Sequence, residues 1–166
     1  MIYVPLCAIA AIANDEMLYR SQPINSDIET VEEALLNAPE ELFQPVECPL
    51  SHKFAPGVYL RTVTMPKGAF VIGHEHLTEH ANVVLRGHCR VMIDGEVQEI
   101  IAPVVFVSKP HVRKVLYMVE ETEWMTIHVT TETDLDELEK LLIVKSESFM
   151  KHELESVKQR LIGGVT

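Results

Sequence analysis

The chain reads as mainly β, a β-sandwich or small barrel with helical extensions at both ends, and three observations carry that reading. From Val58 to Thr130 the apolar residues fall in short β-branched runs cut by turn residues, with little room for helices. Helical periodicity is confined to the segments before and after that stretch. The segment Gly68 to Gly87, GAFVIGHEHLTEHANVVLRG, sets histidines at strand spacing, as the inner face of a barrel would.

In chain order, MIYVPLCAIAAIAND is apolar but lacks a basic leader region, and it reads as an arm packing on the core or on a neighbouring subunit. Ser26-Asp27-Ile28-Glu29 fits a capping box, followed by Ile28, Val31 and Leu35 at helical spacing and closed by Pro39. Pro39, Pro45, Pro49, Pro56 and Gly57 mark a loop-rich link. Strands are expected over 58–65, 69–76, 82–86, 88–94, 97–101, 104–108, 112–119 and 124–130, with Asp94-Gly95 as a hairpin turn. Leu135, Leu138, Leu141 and Leu142 then form one helical stripe, and Met150, Leu154, Val157 and Leu161 another, stopped by Gly163-Gly164. The expected parts are an N-terminal arm, helix and linker (1–57), a barrel (58–131) and a C-terminal helical extension (132–166).

Composition narrows the function. The 166 residues suit one domain with appendages, and 47% apolar content argues against disorder. With 25 acidic against 14 basic residues the net charge is −11, which disfavours nucleic acid as a partner. No run reaches the length of a membrane span. Cys7, Cys48 and Cys89 show no paired spacing, so a reduced, cytoplasmic setting is expected.

His74 and His76 share a strand face and His80 follows a short turn, so three imidazoles can converge on one metal ion. His111, in VSKPHVRKV, is a fourth candidate. Cys48 and His52 lack the second pair a zinc site needs. His88 and His128 read as structural histidines, although His128 lines the barrel if Trp124, Thr126 and His128 face inward.

Gly68, His74-x-His76, His80 and Gly87 together resemble the first motif of the cupin superfamily, with His80 where that pattern has Glu. Gly95, Val107-Ser108-Lys109-Pro110 and His111 resemble its second motif in degraded form. The resemblance spans roughly residues 58–130 and implies a jelly-roll β-barrel of cupin type. It implies one divalent transition metal (Fe, Mn, Ni, Zn or Cu) on His74, His76 and His111, with His80 as fourth ligand; imidazole suits these metals.

Alternation counted from these histidines places Phe70, Ile72, Asn82 and Arg86 on the pocket wall, with Lys109 and Arg113 sharing the parity of His111; the alternative places Arg86, Lys109 and Arg113 at the solvated barrel rim. Lys and Arg beside a metal favour a small anionic ligand. Glu79 and Tyr117 are the only candidates for a catalytic acid or base. The resemblance implies a small metalloenzyme acting on a small organic acid or carbonyl compound, dioxygenase-, isomerase- or lyase-like. The alternative is a non-catalytic binding or assembly module. The apolar arm and the Met150 stripe, together with the resemblance, point to a homodimer.

Overall fold

A computed structural model describes residues 2–5, 25–38, 46–93 and 96–163. Two five-stranded antiparallel sheets face each other. The first runs β1 (Ile2–Pro5), β4 (Ala69–Ile72), β10 (Val115–Met118), β7 (His88–Ile93), β8 (Glu96–Ile101). The second runs β2 (Leu50–Ala55), β3 (Val58–Met65), β11 (Thr122–Val129), β6 (His80–Arg86), β9 (Val104–Ser108). Strands distant in sequence are neighbours in each sheet, giving a jelly-roll barrel. A third, two-stranded sheet pairs β5 (Glu75–His76) with β12 (Ile143–Val144).

Period-two alternation builds the core. Along β11, Thr122, Trp124, Thr126 and His128 are buried while the residues between them are half-buried. Val63, Met65, Val71, Val84, Val91, Leu116, Met118 and Trp124 fill the space between the sheets. Gly87 takes a φ of +99°, and a Cβ there would collide with the Glu121 carbonyl, so the chain can pass from β6 to β7 at this point only through glycine.

Helix α1 (Asn25–Leu36) covers the outside of the first sheet, where Ile28 and Leu35 pack on Phe70, Ile72 and Val115. Ser26 lies inside its first turn rather than capping it. Helix α2 (Leu135–Leu142) is capped by the Asp134 carboxylate, which accepts from the Asp136 and Glu137 amides at 3.0 Å. Its Leu138 and Leu142 pack on Tyr59, while Leu135 and Leu141 face solvent. Helix α3 (Glu147–Gly163) follows β12, with Met150, Leu154 and Val157 exposed.

Three expectations shift. Residues 50–55, expected in the linker, form β2, an edge strand paired with β3. The strand expected over 69–76 breaks at Gly73-His74 into β4 and β5, and the one over 112–119 shrinks to 115–118. The Asp94-Gly95 turn, Pro39, Pro45, most of the N-terminal arm and the Leu161 side chain lie outside the described residues. No helix among the described residues is long and apolar enough to cross a membrane.

Candidate metal centre

Three histidines meet at the mouth of the barrel. His80 opens β6, and its Nδ1–H donates to the Thr78 carbonyl at 3.0 Å, which leaves the lone pair on Nε2. His76 sits on β5, clamped between Ile143 of β12 and a turn whose His111 amide donates to the His76 carbonyl at 2.8 Å. Leu77 donates to the Leu142 carbonyl at 2.8 Å, so the C-terminal extension helps to hold this strand. His128 comes from the inward face of β11 and is buried. The His76 ring stacks on that of His80 at 4.2 Å and on that of His128 at 5.5 Å, and the last two are 4.9 Å apart.

His76 Nδ1, His80 Nε2 and His128 Nδ1 are buried with no hydrogen-bond partner among the described residues. Each such nitrogen left unsatisfied costs about 1–3 kcal/mol, so three at one point call for a ligand. One ligand nitrogen from each histidine lies within 4.8 Å of the other two. Atoms so spaced fit a circle of radius about 2.8 Å (4.8/√3), against about 2.0–2.1 Å for an imidazole–zinc bond. Closing the gap takes under about 1 Å of movement per ring. The arrangement is compatible with metal binding, and a set of neutral nitrogens suits a divalent transition metal.

Electrostatics keeps the lone pairs available. Burial pushes His76 down to about 2, helped by repulsion from His80 and His128. Burial pushes His128 to about 4, with His80 and Arg61 adding to it. His80 is also lowered by burial, which outweighs its bond to Thr78. All three rings are therefore neutral at pH 7.

His76 and His80 line an inner chamber of about 50 Å³, walled by Val63, Met65, Leu116 and Trp124 on its apolar side, while His128 lines the outer groove. Arg61, His74 and His76 border both this chamber and an outer groove of about 440 Å³. Leu138, Leu142 and Phe149 of the C-terminal extension line the groove. The outer volume is that of a small-molecule site.

The four histidines singled out in the sequence separate here. His76 and His80 belong to the group, and His74 lines the cavity beside it, edge-on to Phe149 at 4.7 Å. His111 does not reach it: its side chain is 64% exposed and bonds Glu75 Oε1 at 2.6 Å. The reason is local, because residues 109–114 are a loop in which His111 adopts a φ of +63°, so strand parity does not apply.

Of the expected pocket walls, Asn82 lines the inner chamber, donating to Ser108 Oγ at 2.9 Å and accepting from Trp124 Nε1 at 3.0 Å. Phe70 and Ile72 face α1 instead, because the break at Gly73-His74 reverses the parity counted back from His74. Arg86 is exposed and pairs with Glu121 and Glu123, Lys109 is exposed in the loop, and Arg113 is buried against Glu32. Glu79 is exposed, and Tyr117 packs in the cluster under α1, so neither lines the cavity.

His128, Arg61 and Lys114 also border the cavity and were not singled out. His128 had its signal in the Trp124-x-Thr126-x-His128 alternation. Arg61 shares parity with Tyr59, Val63 and Met65, all buried on β3, and so points inward. Lys114 had none: it sits in a loop, placed by the Gly73 amide donating to its carbonyl at 2.9 Å. His52, weighed with Cys48 for zinc, bonds the Tyr59 hydroxyl at 2.7 Å.

No protein-family model matches the chain, and no curated protein matches it. Among solved structures it is similar to a cupin superfamily protein from Desulfitobacterium hafniense DCB-2, at 13% identity over 54% of this chain and 84% of that one, TM-score 0.42. It is similar to KdgF from Halomonas sp., at 18% identity over 57% and 90%, TM-score 0.44. An RmlC-like cupin family protein from Methanocaldococcus jannaschii matches at 10% identity over 50% and 80%, TM-score 0.44. At such identities the likeness is one of fold alone.

Proposed function

We propose that this is a metal-binding protein of cupin type in which His76, His80 and His128 hold one divalent transition metal beneath a groove for a small organic acid or carbonyl compound. The observation that supports it is the meeting of three neutral imidazoles, His80 and His128 buried and His76 half-buried, whose free nitrogens are buried with no other partner among the described residues. A bound metal supplies Lewis acidity and an orienting centre. Val63, Met65, Leu116 and Trp124 form the apolar wall of the inner chamber, and Asn82 is held in place by Ser108 and Trp124. The open groove above favours an enzyme, dioxygenase-, isomerase- or lyase-like. One observation favours a non-catalytic module instead: among the described residues, no carboxylate lines the inner chamber to act as a base.

Metal analysis of the parent, His128→Ala and His111→Ala proteins tests the ligand set. One metal per chain is expected in the parent, lost in His128→Ala and kept in His111→Ala. The reverse pattern in the two variants would overturn the assignment. Turnover of small organic acids by the parent, changed in rate by His80→Glu at constant metal content, separates the enzyme from the module.

A further inference from the structure

Lys114 is a cation on a largely buried side chain, with no counter-ion among the described residues. The residue is 8% exposed and lines the inner chamber, and its ammonium has no hydrogen bond or ion pair among the described residues. Arg61 stands in the same wall, and no Asp or Glu among the described residues does. Neutral imidazoles bring no negative charge to offset the two cations. Holding an unpaired ammonium in a largely buried wall is costly, and a complementary anion bound there would offset that cost.

We propose that Lys114, with Arg61 at the boundary of the two chambers, anchors the carboxylate of a small organic acid whose remainder lies in the outer groove. The inner chamber holds about four waters, enough for one carboxylate group but not for a bulky anion. A charge-assisted pair with Lys114 satisfies the ammonium, and Arg61 offers a second set of donors. Burial pushes the Lys114 ammonium down to about 8, which a bound anion would reverse. The inference rests on reading this cavity as the ligand site and deepens it by naming the ligand class; the anion contact itself does not need the metal.

The test titrates acetate and pyruvate, with acetamide and inorganic phosphate as comparisons, into metal-loaded and chelator-stripped protein. Calorimetry and thermal shift report binding, and metal content is measured for the parent, Lys114→Met and Lys114→Arg. The carboxylates should bind and acetamide should not. Lys114→Met should weaken binding about 10- to 100-fold, the worth of a charged hydrogen bond. It should keep its metal and melt at or above the parent temperature, since an unpaired ammonium has been removed. Lys114→Arg should recover part of the affinity. Equal affinity in Lys114→Met and parent overturns the anchor, as does acetamide or phosphate binding as well as the carboxylates, or no binding at all. Carboxylate binding that needs metal and ignores Lys114 overturns the anchor and leaves the metal centre standing. Lys114-dependent binding in a protein that never takes up metal does the opposite.

Discussion

Replacing Glu32 by leucine should cost this protein about 3–5 kcal/mol, because it strands a buried guanidinium. Glu32 on α1 and Arg113 before β10 pair at 2.8 Å with side chains 0% and 3% exposed. Arg113 also donates from Nε to the Gly73 carbonyl at 3.0 Å, beside His74, so the pair ties α1 to the wall of the cavity. The second carboxylate oxygen, Glu32 Oε2, has no partner among the described residues, so the pair is not fully satisfied. For a chain of this size each kcal/mol moves the melting temperature by about 2–4 °C, so Glu32→Leu should melt about 6–20 °C lower. Arg113→Met should lose a similar amount, leaving a buried carboxylate. The double variant should recover most of either loss, since a well-packed apolar pair often matches a buried ion pair. Urea and thermal unfolding of the parent, both single variants and the double variant complete the cycle. A melting temperature for Glu32→Leu within about 2 °C of the parent, or additive single losses, would refute the reasoning.

The metal-free protein should lose stability on acidification: His128 titrates near 4 and His76 near 2 when folded, but near 6.5 when unfolded. Below about 6.5 the unfolded chain binds protons that the native one refuses, so stability is full above that pH and falls by up to about 1.4 kcal/mol per unit for each ring. Urea titrations of chelator-treated protein at pH 7, 6 and 5 check this, and a flat stability across them would contradict it. A homodimer is expected, with Val105 (67% exposed) and Val107 (60%) of β9 beside Val83 and Ala81 of β6 as an apolar outer face. Light scattering should give twice 18.8 kDa for the parent and a lower mass for Val105→Lys; a monomeric parent at micromolar concentration would end that reading.

The barrel's strands were legible because alternation is local. Val58–Met65 and Val104–Ser108 stand where the sequence places them, and the helices at either end follow their apolar stripes. Two of the three histidines proposed for the centre, His76 and His80, could be read from spacing alone, since a strand and a short turn separate them. Strand parity placed His128 inward only if Trp124 and Thr126 faced inward, and Arg61, which shares the parity of Tyr59, Val63 and Met65, was not singled out. Local pattern nevertheless said nothing of which inward residue would stand opposite His80. That depends on β11 pairing with β6, an antiparallel contact between distant segments. Parity failed wherever the chain left the strand: at Gly73-His74, which turned Phe70 and Ile72 toward α1, and in the loop over 109–114, which turned His111 out and Lys114 in. A period-two rule holds only while the backbone stays extended, and a break of one or two residues reverses every face beyond it. The face of each strand was thus written in its own residues, whereas the composition of the cavity came from the packing of strands against one another.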